Sequence, residues 1–493
     1  MNVELQVIGA ALTAVAEEMG AALVRGAFSP NIKERRDCST AVFDEDGRMV
    51  AQAEHIPVHL GAMPDAVAAV LEHDPQPGET WILNDPFAGG SHLPDVTLVS
   101  RTPLGYAATR AHHADVGGPE PGSLPAGSRT LADEGVVIPP TRLDADTLEA
   151  LVARMRNPDE RRGDLRAQLA ANRLAEQRVG ELVARYGAER LRLATAELVA
   201  YSERRVRAAV AALPDGRWEA EEALEAPGGP LVLRAAVTVA GDAVEIDFDG
   251  TDAQQEGNLN CPLAVTRSAC AFVVRCLTDP DVPASAGALA PLTVRAPEGC
   301  LVNARPPAAV AAGNVETSSR IVDLLFAAFG EAVAVPAQGQ GTMNNVVLGG
   351  EGWTYYETIG GGQGACPDAP GPSGVHVAMS NTLNTPVEAL ELAYPLRVER
   401  YALRLGSGGA GATRGGDGVV RELRVLAPAR LSVLAQRRAS GPRGAAGGGD
   451  GERGRTLLNG DELPAFASRD LRPGDVLRVE TPGGGGHGRA SAV

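Results

Sequence analysis

Two clusters of histidine and aspartate lie near the N-terminus, NDPFAGGSHLPDVT over residues 84–97 and RAHHADVGG over residues 110–118. The chain has eight histidines in 493 residues, and three of them, His92, His112 and His113, fall here beside Asp85, Asp95 and Asp115. Imidazole and carboxylate groups at short spacing, on backbone loosened by glycine pairs, are what a divalent metal ion needs. The pattern points to chemistry at a metal.

The elements that must carry these groups can be read from periodicity. TWILND (residues 80–85) reads as a buried strand that delivers Asn84 and Asp85 at its end, and residues 96–115 read as two strands around Pro103 to Gly105. Residues two apart on a strand share a face, so His113 and Asp115 are expected to point together while His112 points away. Upstream, residues 39–52 carry two apolar runs around Asp46 and Gly47, a hairpin signal that sets Asp37 just before a strand. Residues 55–74 read as a loop entering a short helix near Pro64. In the first helix Leu5, Ile8, Leu12, Val15, Met19 and Leu23 recur every three or four residues, an apolar face for the core or a subunit interface.

Length suggests roughly three domains of about 150 residues. The expected class is α+β and multi-lobed: an N-terminal metal-binding α/β region (1–143), a long Ala, Leu, Arg and Glu-rich helical segment broken near Gly187 (144–213), and a sheet-rich region (214–493) with helices over about 263–277 and 318–329. The glycine-rich stretches near 441–454 and 481–488 lack phosphate-loop spacing and are read as tight turns. NVETSS (314–319) and GTMNN (341–345) are read as helix capping, with substrate contact as the alternative.

With 45 basic against 62 acidic residues and a net charge of −17, a nucleic-acid surface is not expected. No run of about 18 apolar residues spans a membrane, and the N-terminus carries acids where a signal peptide is basic; a cytoplasmic enzyme or enzyme subunit fits. The six cysteines form no C-x-x-C pair and read as reduced and mostly buried, with Cys38 after Asp37 the one to watch as a nucleophile. Of the basic residues all but Lys33 are arginine, so Lys33 stands either by chance or because an ammonium is needed there.

The segments NIKERRDCSTAVFD, HIPVHLGAMP, NDPFAGGSHLPDVT, RAHHADVGG, GNVETSSRI, NTLNTPVEALELAYPLRVERYALR, GGAGATRGGDGVVRE and TPGGGGHG occur in an order that resembles the hydantoinase B and oxoprolinase B family over nearly the whole chain. A more distant resemblance is to the metal-bearing large subunit of acetone carboxylase. The family resemblance implies work with a hydantoinase A type subunit, an actin-like ATPase that binds ATP and activates a cyclic amide carbonyl by phosphorylation, in an expected heterotetramer. It implies that this chain holds a divalent transition metal (Mn, Zn or Fe) and completes hydrolysis. On that reading Asp37, His92, His113 and Asp115 are the expected ligands with Asp95 in reserve. His59 and His112 are the candidates for acid–base work or substrate positioning, with Lys33 and His55 behind them.

Three functions compete. The first is the catalytic subunit of an ATP-dependent hydrolase of a hydantoin, 5-oxoproline or other lactam. The second is a ketone carboxylase subunit like that of acetone carboxylase, disfavoured by the short length. The third is a scaffold for the ATPase without chemistry of its own.

Overall fold

The apolar stripe of α1 (Val3–Gly26) finds its partner inside the chain: Leu5, Ile8, Leu12, Val15, Met19 and Leu23 are all buried. They pack with Ala167, Ala171, Ala175 and Val179 of α5 (Pro158–Tyr186), and each large side chain so buried stabilises the fold by about 1.5–3 kcal/mol. By length and composition α1 would suffice to cross a membrane, but here it is packed as a core helix. The computed structural model describes residues 3–53, 56–279 and 281–490; His55 lies outside the described residues.

Between α1 and α5 come α2 (Pro30–Lys33), the hairpin β1 (Cys38–Asp44) and β2 (Met49–Ala53), α3 (Ala62–Leu71), β3 (Thr80–Leu83), β4 (Asp95–Thr102), β5 (Gly105–His112), β6 (Thr141–Arg142) and α4 (Ala145–Val152). The strands form one sheet in the order β2-β1-β5-β4-β3-β6. Alternation sends Ala41, Phe43, Tyr106 and Ala108 to one face against Met63 and Val67 of α3. It sends Cys38, Val42, Ala107 and Ala111 to the other, against α1 and α5. The long helical segment, α5 and α6 (Ala188–Val210), breaks at Gly187 with φ 83° and covers this sheet.

The second half builds three further sheets. β7 (Gly216–Leu224), β8 (Leu231–Ala240), β9 (Ala243–Asp247) and β10 (Leu292–Arg295) pack on α7 (Leu263–Leu277), α8 (Ala286–Leu289) and α9 (Ser318–Phe329) around the largest core. β11 (Asn345–Gly350) and β12 (Trp353–Glu357) follow, then α10 (Val387–Ala393), β13 (Leu396–Arg404), β14 (Gly418–Val425) and β15 (Ala429–Leu434). The chain closes its sheets with β16 (Arg455–Leu458), β17 (Asp461–Glu462), β18 (Phe466–Leu471) and β19 (Val476–Glu480). The orders β12-β11-β15-β18 and β13-β14-β19-β16-β17 face each other across a third core of Val, Leu and Tyr.

The glycine-rich stretches hold a turn at Ala446–Gly447 and a left-handed Gly488, as expected, but other glycines there and in the neighbouring segments serve close backbone packing. A Cβ on Gly416 would lie 1.8 Å from the Pro372 carbonyl oxygen, one on Gly415 2.0 Å from that of Gly484, and one on Gly484 2.0 Å from that of Gln363. None of these three glycines has positive φ. The segments run side by side, bonded through Gly484 N–H to Gly416 O (2.8 Å), Gly416 N–H to Gln363 O (2.9 Å) and Gly486 N–H to Gly449 O (2.9 Å). Glycine is required there because backbone packs directly on backbone, with no room for any side chain.

Candidate metal centre

The register of the first sheet sets Asp95, the first residue of β4, directly opposite His112, the last of β5. Facing residues of an antiparallel pair have their Cβ atoms about 5 Å apart on the same face, so these two side chains meet. His92 reaches back from the preceding turn. Its Nε2 is 3.1 Å from Asp95 Oδ1 and 3.2 Å from His112 Nδ1, and His112 Nδ1 is 3.2 Å from the same oxygen. All three are at most 2% exposed.

Those three atoms fit an ion. A point about 2.1 Å from each, the length of a Zn–N or Zn–O bond, exists just off their plane. Two nitrogens and one carboxylate oxygen suit Mn, Fe or Zn. Hydrogen bonding alone leaves the arrangement incomplete. Two ring N–H groups can point at one carboxylate oxygen, but then neither nitrogen can accept from the other, and His112 Nε2 and Asn314 Oδ1 are buried without partners among the described residues.

Outer groups fix the three. His59, in the turn Pro57–His59, stands 3.4 Å by Nε2 from Asp95 Oδ2, and its Nδ1 is 2.9 Å from Ser39 Oγ. Ser91 Oγ donates to the same Asp95 oxygen at 2.5 Å. The Tyr356 ring stacks on His112 with centroids 4.5 Å apart, and the Tyr356 hydroxyl donates to Asn345 Oδ1. Asn314 sits on a single π-helical turn, Gly313–Thr317, just before α9; its amide nitrogen lies 3.3 Å from both His92 ring nitrogens. Such turns recur at functional sites because they push one side chain out of helical register.

Between these groups is a cavity of about 20 Å³, which Asp37, Thr358, Ser380 and Thr382 also line. That is room for about one water molecule. His112 donates its backbone N–H to the Asp37 carbonyl at 3.0 Å, which ties the end of β5 to the residue before β1. Beside Asp37, Arg35 is fully buried, with Nη1 on the Tyr356 carbonyl at 3.0 Å and Nη2 3.9 Å from the Asp37 carboxylate. Burial alone would raise the Asp95 carboxyl, but His92, His112 and His59 outweigh it and hold Asp95 well below the usual carboxylate range. Burial lowers His112 despite its bond to Asp95. An ionised carboxylate beside a neutral imidazole is the state in which these groups donate electron pairs.

The expected ligands divide. Asp37, His92, Asp95 and the acid–base candidates His59 and His112 share one cavity. His113 and Asp115 lie away from it and from each other, because β5 ends at His112 and the strand alternation that would align them stops there. His113 Nε2 bonds Gln168 Oε1 of α5 at 2.9 Å, and burial, then the charge of Arg161, pushes its imidazole down to about 4. Asp115 accepts from the backbone N–H groups of Gly117 and Gly122 and pairs with Arg156 at 3.2 Å, a clamp on its loop. Lys33 is exposed at the end of α2 and does not line the cavity. Cys38 is buried in the sheet, and burial, reinforced by Asp37, pushes its thiol up, away from nucleophilic reactivity.

Sequence reasoning missed Arg35, Tyr356, His376, Ser380 and Thr382. The last three stand in GVHVAMSNT, a run with one imidazole and two hydroxyls before the helix of α10 that carries no spacing signal of its own. Asn314 was in view, and the structure puts it at the cavity wall.

Comparison with known proteins gives the chain its relatives. A family model described as hydantoinase B/oxoprolinase matches residues 1–490. An uncharacterised protein of Methanocaldococcus jannaschii is 37% identical, over 99% of this chain and 90% of its own length. The 5-oxoprolinase 1 of Arabidopsis thaliana is 36% identical over 99% of this chain but only 42% of its own, so the chain spans about two-fifths of that relative. Among solved structures, the ATP-dependent caprolactamase from Pseudomonas jessenii superposes with a TM-score of 0.91 at 27% identity, over 99% of this chain and 91% of that one.

Proposed function

We propose that this chain, which belongs to the hydantoinase B/oxoprolinase family, is the metal-binding hydrolytic subunit of an ATP-dependent enzyme that opens a cyclic amide. The observation that carries the reading is the convergence of His92 Nε2, Asp95 Oδ1 and His112 Nδ1 within 3.1–3.2 Å of one another, buried at the end of a sheet. The names 5-oxoprolinase and caprolactamase, carried by similar proteins, supply the substrate class. The ATP-using step is assigned to a hydantoinase A type partner, in keeping with the chain spanning two-fifths of a 5-oxoprolinase.

An amide resists water because its nitrogen lone pair is delocalised into the carbonyl. Phosphorylation of the carbonyl oxygen by the partner removes that resistance and leaves a carbon open to attack. A divalent ion held by His92, Asp95 and His112, with Asp37 at the same cavity, supplies Lewis acidity and a lowered pKa for water. The residues of this chain do the rest. His59 and Ser91 hold the second oxygen of Asp95 so that the first faces the histidines, and Ser39 sets the His59 ring. Tyr356 fixes the plane of His112. The cavity has room for the attacking water alone, and its hydroxyl wall of Thr358, Ser380 and Thr382 is placed to bond that water and the edge of a lactam admitted when the cavity widens.

The test pairs metal content with turnover. Plasma mass spectrometry should find about one transition metal per chain, lost in His92→Ala. The same variant, assembled with the ATPase partner, should then lose ATP-dependent opening of 5-oxoproline or caprolactam. Metal retained in His92→Ala would sink this site, and wild-type assembly without lactam opening would sink the substrate class.

A further inference from the structure

Behind the hydroxyl wall runs a chain of hydrogen bonds whose two ends, Ser380 and Thr358, both face the cavity. His376 Nδ1 is 2.6 Å from Ser380 Oγ, and its Nε2 is 3.4 Å from Thr382 Oγ1. Thr382 Oγ1 is 2.7 Å from Thr358 Oγ1, and Arg35 Nη2 donates to both threonines, at 2.8 Å to Thr358 and 3.3 Å to Thr382. Thr358, Ser380 and Thr382 all line the metal cavity, while the imidazole stands behind them, half-buried.

Each hydroxyl has one proton to give and two lone pairs, and a neutral imidazole has one of each. Arg35 only donates, so it occupies one lone pair on each threonine. With the ring proton on Nε2, Ser380 must donate to Nδ1 and shows the cavity only lone pairs. Nε2–H then fills the second lone pair of Thr382, Thr382 must donate to Thr358, and the Thr358 proton is left for the cavity. With the ring proton on Nδ1 every bond reverses: Ser380 offers a proton and Thr358 a lone pair. Either way the cavity sees one donor and one acceptor, and moving one ring proton exchanges them.

We infer that the circuit Ser380–His376–Thr382–Thr358 is a bifunctional proton relay that takes a proton from the attacking water and delivers one to the ring nitrogen of the cyclic amide. The inference rests on the cyclic-amide reading above. In the step, the water O–H bond breaks and its proton passes to Ser380 Oγ as the Ser380 proton moves to His376 Nδ1. The Nε2 proton moves to Thr382, the Thr382 proton to Thr358, and the Thr358 proton forms the new N–H bond as carbon–nitrogen cleavage begins. Protons balance, and the imidazole is neutral before and after. Burial, then the charge of Arg35, pushes the His376 imidazole down to about 3, which suits a ring that exchanges tautomers and never rests as a cation. An imidazolium would donate from both nitrogens and leave two donors facing the cavity, with nothing to accept the proton of water. His376 is thus a positioning and relay residue, while Ser380 and Thr358 touch the reacting atoms.

The assembled enzyme tests this through His376→Gln, which keeps a polar side chain but cannot exchange tautomers, and through Ser380→Ala and Thr358→Val at the two ends. Each should keep its metal and lose about a hundredfold or more in kcat. The proton inventory in mixtures of light and heavy water should be curved for wild type and linear for His376→Gln, a change that a purely structural role would not produce. Wild-type kcat with a curved inventory in His376→Gln would overturn the relay while leaving lactam hydrolysis standing. A second measurement needs no turnover: 15N NMR of the histidine-labelled chain should show His376 as a neutral ring at neutral pH. An imidazolium signature there overturns the relay whatever the substrate proves to be.

Discussion

His59→Ala is the sharpest probe of how the ligand set is held. The ring contributes one contact to Asp95, from Nε2 to Oδ2 at 3.4 Å, and that oxygen keeps its 2.5 Å bond from Ser91 when the ring is gone. The loss is therefore that of one hydrogen bond to a charged group, about 1.5–3 kcal/mol. The long separation puts it at the lower end, so about a 10- to 30-fold rise in metal Kd is expected, within the range seen when partners behind metal ligands are removed. Chelator competition at fixed pH measures Kd, and thermal unfolding of the metal-free protein shows whether the fold survives. An unchanged Kd with the fold intact would mean that Asp95 is held without His59. Loss of turnover alone, again with Kd unchanged, would place His59 on the substrate instead of on Asp95.

Other outcomes follow from the same geometry. His112→Ala should abolish metal binding, whereas His113→Gln, whose site faces Gln168, should leave metal content at the wild-type level by mass spectrometry. Glu316 is fully buried, and burial pushes its carboxyl from 4.5 up to about 8 despite bonds from Thr342 and the Met343 backbone. The folded state thus keeps a proton that the unfolded chain releases near its ordinary value, so this group's stability contribution is complete below about 4.5 and is lost as pH rises to about 8. Glu316→Gln should flatten that limb of a denaturant-midpoint against pH profile. Gly416→Ala, with its new Cβ 1.8 Å from a carbonyl oxygen, should cost more than about 4 kcal/mol or abolish soluble folding. Gly352→Ala, with φ 77° and open space around it, should cost only about 1–2 kcal/mol in the same unfolding assay.

The elements were largely legible because each rests on local signals. The hairpin at Gly47, the break at Gly187, and the helices over residues 263–277 and 318–329 stand where periodicity and glycine put them. The histidine and aspartate clusters likewise supply three of the side chains that meet at the candidate site, His92, Asp95 and His112. Which histidine faces Asp95 was not legible, since it depends on where β5 stops and on its register with β4, and one residue of shift turns every side chain to the other face. Asn314, Tyr356 and the run from His376 to Thr382 arrive from more than two hundred residues away in sequence, and no local pattern announces such a meeting. Glycine is legible only in part: composition shows that side chains are absent, but not whether the cause is a turn, as at Gly447, or a neighbour's backbone, as at Gly484.

That glycine packing bears on how the chain is made. The segment at residues 483–486 lies against backbone from residues 363, 407–416 and 443–449, so none of these segments can finish its hydrogen bonding until the last of them has been synthesised. Contacts so distant in sequence, between residues with the greatest backbone entropy to lose, form late in folding. During translation the N-terminal sheet with its histidines can close early. The glycine segments must wait, exposed and sparing in apolar side chains, which makes them an unattractive surface for aggregation during that interval.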